Sequence, residues 1–398
     1  MTLLIDPPNA RGHGRLWSHL ASDDSFEELH RFARTLGIPE RGFDRDHYDI
    51  PAERYTAVLE AGAKPVSSRE LVGRLTTAGL RRRKSRTLGP RHAGRPLVRA
   101  DRLRAGDAVT VVASAGPVPP RRLEAGVAVL ASWGLDVRVA PHAEGQHPRL
   151  SYLAADDQGR ADDLMAAWCD PDVRAVLCTR GGYGVQRMLD RLDWTALAAA
   201  GPKVLVGFSD VTALHQAFAV RLGLSTIHGP VVAGLGDGDQ ESAAHLHRLL
   251  FSPSPESLTP VPAATLMPGA ADGILVGGNL AMLAASVGTR DLLPAVGGIA
   301  VLEDIGEELY RLDRMLTQLL RAGWFEGVRG VALGDFTGPA PTESVHGLAL
   351  DRLGRLGVPI VAGVPIGHER PNLAFPLGVP ARLDADAGTL VLRQPALR

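Results

Sequence analysis

An alternation of short apolar runs and helical stretches after residue 100 is the feature that most constrains how this chain can fold. Runs at 108–113, 174–179 and 203–208 are rich in valine, and each leads through a glycine or a turn into a helical pattern. Strands that are apolar at nearly every position are buried on both faces, as in a parallel sheet covered by helices. The pattern therefore predicts an α/β lobe built on a parallel sheet.

A different pattern begins near residue 272. Short apolar strands such as GILVGG, GIAVLED and GVALGDF follow one another and are joined by one clear helix at 307–322. That helix repeats leucine and methionine on one face, which is typical of a helix packed on a core. We expect a β-rich lobe here. Because a single core rarely grows beyond about 250–300 residues, we divide this part of the chain into lobes at 96–250 and 251–398.

The first 80 residues have an organisation of their own. Helical patterns at 25–36 and 67–80 each begin with a serine that has a glutamate three residues later, as in a capping box. The apolar residues at 3–6 predict a short strand. The fold class expected for the whole chain is therefore α/β, with a small accessory α/β domain at 1–80, a parallel-sheet α/β lobe and a β-rich C-terminal lobe.

A basic stretch at 81–104 follows this region. It contains proline and glycine and has no apolar period, so we interpret 81–95 as a linker. No aromatic residue interleaves its charges, as a single-stranded nucleic-acid arm would require. The whole chain has 43 Lys+Arg and 44 Asp+Glu, a formal net charge of -1. That balance argues against a protein that binds polyanions, and we expect no nucleic-acid partner.

Cysteine content and hydropathy indicate the compartment. Cys169 and Cys178 are the two cysteines and form no Cys-x-x-Cys motif, which excludes a disulfide scaffold and a cysteine zinc site. No segment stays apolar over the roughly 18 residues that a membrane span needs. The apolar run at the N-terminus breaks at Asp6, too early for the core of a signal peptide. We expect a cytoplasmic protein with no membrane partner.

The most informative segment for chemistry is VLVGFSDVTALHQAF at 204–218. An apolar strand ends at Gly207, Ser209 follows at the turn, and a helix begins near Val211. A serine at such a turn projects its hydroxyl away from the sheet and beside the free N–H groups of a helix start. The motif is not Gly-x-Ser-x-Gly, so Ser209 is either a nucleophile or, with Asp210, a helix cap.

A serine nucleophile needs a base and a group that orients the base. His368, in the loop GHERPN, follows an apolar strand and is suited to be that base, or is an ordinary surface histidine. Glu303 and Asp304 end another apolar strand. They supply an acidic partner, or they serve the N-terminus of the following helix.

A glycine pair in CTRGGYG at 178–184 is the fourth element. Glycines after a buried strand let the backbone approach a ligand, and their N–H groups can stabilise an oxyanion. The segment is not a dinucleotide fingerprint, and the chain has no Gly-x-x-x-x-Gly-Lys loop and no His-Glu-x-x-His motif. We therefore expect neither a cofactor nor a catalytic metal.

Taken together, these segments resemble a known family. Residues from about 96 to 398 are similar to the LD-carboxypeptidase family, the serine peptidases that include the microcin C immunity proteins. The likeness covers about three-quarters of the chain and follows the family's order in these stretches: RLRAGDAVTVVASAGPV, RGGYGVQRMLDRLDW, GFSDVTALHQAF, HGP, GGNLAMLAASVGT, LEDIGEELYRLDRML and GHERPNLAFPLG.

The resemblance implies a Ser–Glu–His triad. It gives Ser209 the role of nucleophile, His368 that of general base and Glu303 that of the acceptor that orients the base. Asp304 competes with Glu303 for the acidic role. The family fold is a nucleotide-binding-like α/β lobe and a β-rich lobe, with the site between them.

The resemblance also implies a substrate-binding surface. Backbone N–H groups of Asp210 and of Gly181 or Gly182 would form the oxyanion hole, and Asn279 would lie at the substrate cleft. An exopeptidase also has to recognise a terminal carboxylate, for which a bidentate arginine is suited. Three arginines lie next to the motifs, and ordinary surface pairing explains them equally well: Arg180, Arg314 and Arg370.

The activity implied is removal of the terminal D-alanine from muramyl tetrapeptides during murein recycling, without a metal and by a homodimer. A rival within the family is an immunity-type peptidase that cleaves peptidyl- or aminoacyl-nucleotides. The segment RGGYG lacks the asparagine associated with that branch, and the region of about 300 residues has no obvious insertion for a nucleotide. A rival of another class is a catalytically silent peptide-binding protein, against which the intact Ser209, Glu303 and His368 argue.

The first 80 residues resemble an uncharacterised domain family seen in actinobacteria, through IDPPN, GHGRLWSHL, FDRDHYDIP and PVSSREL. This region is either a docking module for a partner or the holder of a site of its own. Imidazole and carboxylate groups are the ligands of many transition-metal and acid–base sites, although polar loop residues and helix caps have the same composition. The candidate side chains are His13, His19, Asp44, Asp46, His47 and Asp49.

Overall fold

The computed structural model describes residues 2–12, 15–39, 42–44, 46–78, 80, 92–259 and 263–398. The chain divides into two compact units, Met1–Thr87 and Leu88–Arg398. Residues 81–91 of the linker predicted at 81–95 lie outside the described residues. The linker and the exact domain boundaries therefore stay a prediction.

A six-stranded sheet with helices forms the first unit. Strand order in this sheet is β4-β5-β3-β1-β6, and β2 pairs with β3. The neighbours of β3 all run antiparallel to it, whereas β6 is parallel to β1. The elements are β1 Leu3–Ile5, β2 Ala10–Gly12, β3 Arg15–Ser22, α1 Phe26–Thr35, β4 Phe43–Asp44, β5 His47–Pro51, α2 Tyr55–Glu60, β6 Lys64–Pro65 and α3 Ser68–Thr77.

Both capped helices predicted for this unit are confirmed. The Ser25 side chain accepts a hydrogen bond from the backbone N–H of Glu28 at 3.2 Å, at the start of α1. Ser67 accepts one from the N–H of Glu70 at 3.1 Å, at the start of α3. Each serine satisfies a donor that the helix itself leaves free, and this fixes where the helix begins.

The first half of the second unit contains the predicted parallel sheet. Five strands, in the order β11-β10-β9-β7-β8, are all parallel to their neighbours. The elements are β7 Ala108–Val112, α4 Pro120–Ser132, β8 Asp136–Val139, α5 Asp157–Cys169, β9 Val173–Cys178, α6 Val185–Met188, α7 Trp194–Ala199, β10 Val204–Gly207, α8 Thr212–Leu222, β11 Ile227–His228, α9 Val232–Leu235 and α10 Gln240–Phe251.

A seven-stranded sheet forms the second half, which confirms a strand-rich C-terminal lobe. Its order is β12-β16-β15-β14-β13-β18-β19, and the four central strands β13 to β16 are parallel. The elements are β12 Ala264–Met267, β13 Ala270–Asn279, α11 Leu280–Ala285, β14 Gly298–Ile305, α12 Leu309–Arg321, β15 Gly330–Thr337, α13 Thr342–Leu353, β16 Ile360–Ala362, β17 Phe375–Pro376, β18 Pro380–Asp384 and β19 Thr389–Leu392.

The prediction of a single clear helix in this lobe is wrong, because α13 is a second long one. Its buried face consists of Val345, Ala349 and Leu353, at helical spacing. Pro341 at its N-cap offers no side-chain hydrogen bond, and Gly347 lies inside it. The two local signals that mark a helix, a capping side chain and an unbroken run of helix formers, are therefore weak here.

The two sheets of the second unit are joined by one strand from the C-terminal half, which pairs into the parallel sheet of the first half. Strand β17, from the C-terminal part of the chain, pairs antiparallel with β11 of the first sheet. One continuous cluster of buried side chains includes Val206 from the first sheet and Val379 next to the second. Residues at the ends of strands in both lobes are thereby held in a fixed relation to one another.

Two further observations concern helix hydropathy and the cysteines. Among the residues that the structure describes, no helix combines the length and the apolarity that a membrane crossing requires. Both cysteines are free, Cys169 at the surface and Cys178 in the core.

Gly347→Ala is expected to stabilise the protein. The position is exposed in the middle of α13, and a Cβ there would meet no atom within 4 Å. Alanine costs less backbone entropy than glycine in a helix, so the free energy of unfolding should rise by roughly 0.5–1 kcal/mol. Urea denaturation of the full chain measures this. Gly357→Ala is the matched control, because a Cβ there would also meet no atom within 4 Å: with φ 67° it should lose about 1–2 kcal/mol, and an equal response of both variants would contradict this account.

Candidate active site

Ser209 occupies the turn between β10 and α8 in a strained conformation. Its φ is 62°, the one positive φ of a non-glycine residue among those described. It opens a short 3₁₀ turn, Ser209–Val211, that leads directly into α8. A left-handed conformation costs an L-residue about 1–2 kcal/mol, and such strain concentrates at functional sites. The strand–turn–helix setting predicted for Ser209 is therefore present.

The glycine pair lies against this serine. A Cβ at Gly181 would be 2.7 Å from Cβ and 2.9 Å from Oγ of Ser209, so any larger residue would collide with it. Gly182 has φ 118°, which also favours glycine. Within the described residues, the N–H groups of Gly181 and Gly182 donate no hydrogen bond. Free backbone donors beside a serine hydroxyl are what an oxyanion hole requires.

Two buried charged side chains, Asp210 and Arg160, hold the backbone at the end of the glycine loop (residues 180–184). The Asp210 carboxylate accepts a hydrogen bond from the N–H of Val185 at 2.8 Å. Burial raises the pKa of Asp210 to about 6, although the backbone donors and Arg160 oppose the shift. Arg160 is fully buried and donates to the carbonyl oxygens of Ser114 and Gly184, at 2.6 and 2.9 Å. Sequence reasoning gave Asp210 a backbone role in an oxyanion hole or a helix-capping role, and it missed Arg160.

His368 and Glu303 form a direct pair. Nδ1 of His368 lies 2.8 Å from Oε2 of Glu303, which is fully buried at the end of β14. Burial raises the pKa of Glu303, but the imidazoles of His228 and His368 beside its two oxygens outweigh this effect and lower the pKa to about 2. A carboxylate only accepts hydrogen bonds, so Nδ1 carries the proton and Nε2 keeps a lone pair. The imidazole is thus set as a base.

Ser209 and this pair belong to one site. The ring of Phe208, the residue before Ser209, contacts the His368 ring with centroids 4.8 Å apart. Oγ of Ser209 makes no hydrogen bond to any described residue. Catalytic hydrogen bonds are often absent or long before a substrate binds. The structure therefore places the residue before Ser209 against His368, and His368 against Glu303, at the junction of the two sheets.

Asp304, the competing acid, is engaged elsewhere. Its carboxylate accepts hydrogen bonds from the N–H groups of Ala281 and Ile305, both at 2.8 Å. Burial raises its pKa to about 6. The geometry gives the contact with His368 to Glu303 and places Asp304 at the start of α11, not at the start of the following helix α12 as the sequence suggested.

Asn279 lies beside Glu303 in the sheet, but its side chain caps a helix. Its side chain accepts from the N–H of Met282 at 3.1 Å and so caps α11, and its amide is 3.4 Å from Asp304. In the sheet it pairs with Glu303. Its side chain is almost fully buried, and contact with a substrate stays a prediction.

His228 is a site residue that sequence reasoning did not assign. It is fully buried at the end of β11, and its Nε2 lies 3.6 Å from Oε1 of Glu303. That is an ion-pair separation, longer than a normal hydrogen bond. Its ring stacks on Phe375 of β17, with centroids 4.7 Å apart. The motif HGP marked the position, but nothing local in the sequence connected it to Glu303.

Of the three candidate arginines, one lies beside the glycine loop. Arg180 donates to the carbonyl of Pro117 at 3.1 Å, and its guanidinium is 4.0 Å from the Cβ position of Gly182. Arg370 pairs with Asp237 at 3.4 Å, and Arg314 lies over the ring of Tyr310. Ordinary surface contacts therefore account for these last two.

Comparison with protein families matches three parts of the chain. Residues 109–229 match a family described as the LD-carboxypeptidase N-terminal domain, and residues 272–383 match the LD-carboxypeptidase C-terminal domain. Residues 3–78 match a family described as a protein of unknown function, DUF4031.

Similar proteins cover the second unit almost end to end. A Streptomyces coelicolor protein named as a carboxypeptidase is 55% identical over 305 residues, 76% of this chain and 98% of that protein. The murein tetrapeptide carboxypeptidase of Pseudomonas aeruginosa is 38% identical over 294 residues, 70% of this chain and 93% of that protein. The crystal structure of an MccF-like protein from Bacillus anthracis aligns with a TM-score of 0.69 and 25% identity, covering 74% of this chain and 99% of that one.

Gly181→Ala should abolish most peptidase activity without unfolding the protein. The new methyl group displaces Ser209 or its hydroxyl, and a displacement of about 1 Å at a reacting centre costs on the order of 100-fold in rate. We expect kcat/KM to fall by at least that factor. Gly347→Ala, which adds the same methyl group far from the site, is the control. Full activity in Gly181→Ala would exclude the close approach as a requirement.

Glu303→Gln removes the negative charge of this side chain and keeps its size and shape, so it tests whether catalysis requires the charge. The amide can also hold the unproductive tautomer of His368, so kcat should fall by roughly 10⁴-fold. Because the pKa of Glu303 is lowered from 4.5 to about 2, its ionisation stabilises the fold above pH 4.5, and this contribution is lost as the pH falls towards 2. The wild type should therefore lose stability more steeply than Glu303→Gln over that range. Parallel urea titrations with pH would refute the lowered pKa.

Proposed function

Because this chain belongs to the LD-carboxypeptidase family, we propose that it removes the terminal D-alanine from muramyl tetrapeptides in murein recycling. It is a hydrolase of the serine carboxypeptidase type. The observation that carries the catalytic assignment is the buried Glu303–His368 pair, at 2.8 Å, beside the strained Ser209. The site residues Ser209, Glu303 and His368 act as nucleophile, orienting acid and general base.

Acylation begins with proton transfer. Nε2 of His368 takes the proton of Ser209 Oγ as Oγ attacks the carbonyl carbon of the scissile bond between the third residue and D-alanine. The negative charge that develops on the carbonyl oxygen meets the N–H groups of Asp210 and of Gly181 or Gly182. When the intermediate collapses, the C–N bond breaks and His368 gives its proton to the departing amine.

Deacylation repeats the same steps with water. His368 takes a proton from the water that attacks the ester, the acyl–Oγ bond breaks, and Ser209 recovers its proton. Throughout both halves, Glu303 stays ionised and stabilises the imidazolium that forms twice. No step requires a metal ion or a cofactor.

Recognition of the terminal carboxylate falls to Arg180 in this proposal. It is the exposed arginine of the glycine loop, and its guanidinium lies within reach of the space above Gly182. Arginine binds carboxylates through two parallel hydrogen bonds. Asn279 would contribute at the cleft through its backbone beside Glu303 rather than through its capping side chain.

The cellular setting is part of the proposal. We place the enzyme in the cytoplasm as a homodimer, acting on a small peptide and on no nucleic acid or membrane. Both cysteines are free, which suits a reducing compartment. The likeness to the family supports the dimer.

The likeness to the MccF-like fold favours a second candidate, a peptidase of peptidyl- or aminoacyl-nucleotides. The triad chemistry would be unchanged and only the leaving group would differ. RGGYG at 180–184 and the similarity to the murein enzyme support the first candidate.

Release of D-alanine from a muramyl tetrapeptide tests the proposal, with the wild type beside Ser209→Ala. Loss of the nucleophile should lower kcat by on the order of 10⁵–10⁶-fold, while the fold is kept. Ser132→Ala is the control, because its exposed hydroxyl bonds only the carbonyl of Val129.

The other outcomes are equally informative. Turnover retained by Ser209→Ala excludes that serine as nucleophile. Release by neither protein excludes the murein substrate and calls for peptidyl- and aminoacyl-nucleotides. Binding of the tetrapeptide without hydrolysis of either substrate class would leave a silent peptide-binding protein.

A further inference from the structure

The first unit brings two histidines and an aspartate to one face of its sheet. His19 on β3 and Asp49 on β5 are directly paired across the strands, and His47 lies two residues before Asp49. Side chains two apart on a strand share a face, and cross-strand partners are in contact. Oδ1 of Asp49 is 3.4 Å from Nε2 of His47 and 3.9 Å from Nε2 of His19.

A buried carboxylate supports each imidazole from behind. Nδ1 of His19 is 2.9 Å from Asp6, and Nδ1 of His47 is 2.7 Å from Asp46. Both aspartates are 1% exposed. Asp6 is itself fixed by hydrogen bonds from the Ser68 hydroxyl and the His19 backbone, each at 2.6 Å.

This arrangement decides which nitrogen of each imidazole carries the proton. Because the carboxylates of Asp6 and Asp46 accept hydrogen bonds, the Nδ1 atoms of His19 and His47 carry the protons. The Nε2 atoms then present lone pairs towards the Asp49 carboxylate. Three electron-pair donors thus converge on one volume, and a histidine backed by a carboxylate is the usual partner of a bound metal.

The separations fit one ion better than they fit hydrogen bonds. Zinc–nitrogen and zinc–oxygen bonds of about 2.0–2.2 Å in a tetrahedron place ligand atoms roughly 3.4 Å apart. The three ligand atoms lie within 4.8 Å of one another. The imidazole–carboxylate distances of 3.4 and 3.9 Å exceed the range of normal N–H···O bonds.

We propose that the first unit binds a first-row divalent metal ion, of which Zn²⁺ is the prototype, through Nε2 of His19, Nε2 of His47 and the Asp49 carboxylate. Asp6 and Asp46 are positioning residues that hold the two imidazoles. Among the described residues, three side chains supply ligand atoms. The side chains of His19 and Asp49 are 31% and 46% exposed, so solvent reaches these two ligands.

Two of the side chains named from the sequence stay unplaced. His13 and the side chain of Asp44 lie outside the described residues. Asp46 supports His47 instead of joining the ligands. Of the four candidates whose side chains are described, three are ligands and one is a supporting residue, with Asp6 as a support that the sequence did not indicate.

Metal binding to the full-length chain tests the proposal. Protein stripped with a chelator is titrated with Zn²⁺, Fe²⁺ and Mn²⁺ in separate calorimetric experiments, and Co²⁺ reports the ligand set through its visible absorption. We expect one ion per chain. Asp49→Ala, whose side chain is half exposed, and His47→Ala should each lower the affinity by at least 100-fold. Asp46→Asn should lower it by roughly 10–100-fold.

His346→Ala, on α13 of the other unit, is the matched control and should bind as the wild type does. Circular dichroism and thermal unfolding establish that each variant is folded, and Asp49→Ala decides the matter if His47→Ala is not. Preference for Fe²⁺ or Mn²⁺ with the same residue dependence supports the site and identifies its metal. No binding of any of these ions by the wild type, or equal binding by wild type and Asp49→Ala, overturns the proposal.

Discussion

The buried charge of Glu303 is the constraint on which the active site depends. A carboxylate removed from water costs several kcal/mol unless partners replace its hydration. Here the partners are two imidazoles of the second unit. His228 ends β11 of its parallel sheet, and His368 lies in the loop after β16 of its seven-stranded sheet. The charge is therefore stable only when both sheets are in place. The pairing of β17 with β11, which stacks Phe375 on His228, connects the site to the packing of the whole second unit.

Local patterns predicted the parts of this site that depend on local structure. Ser209 follows a strand and opens a helix, so the sequence alone indicated the strand–turn–helix setting, although not the left-handed backbone of Ser209. The glycines after β9 indicated a close approach of backbone, and Gly181 does contact Ser209. The capping serines of α1 and α3 marked those helices for the same reason: the residues that make the interaction are within a few positions of one another.

The choice between Glu303 and Asp304 could not be made from such patterns. Neighbouring residues on a strand face opposite sides, so one of the two had to face His368, but periodicity does not say which. A register irregularity between Leu302 and Asp304 of β14 also changes the alternation at this point. Local patterns also could not predict the roles of His228 and Arg160 or the pairing of Glu303 with His368. These contacts join residues far apart in the chain, and Glu303 and His368 are 65 positions apart.

One physical device occurs in both units of this protein. A buried carboxylate accepts the Nδ1 proton of a histidine and leaves Nε2 as the reactive atom, in Glu303–His368 and again in Asp6–His19 and Asp46–His47. What faces Nε2 then decides the chemistry. Beside a serine hydroxyl the lone pair takes a proton, whereas two lone pairs and a carboxylate that face each other attract a cation. The same local arrangement therefore supports a serine hydrolase in one unit and, in our proposal, a metal centre in the other.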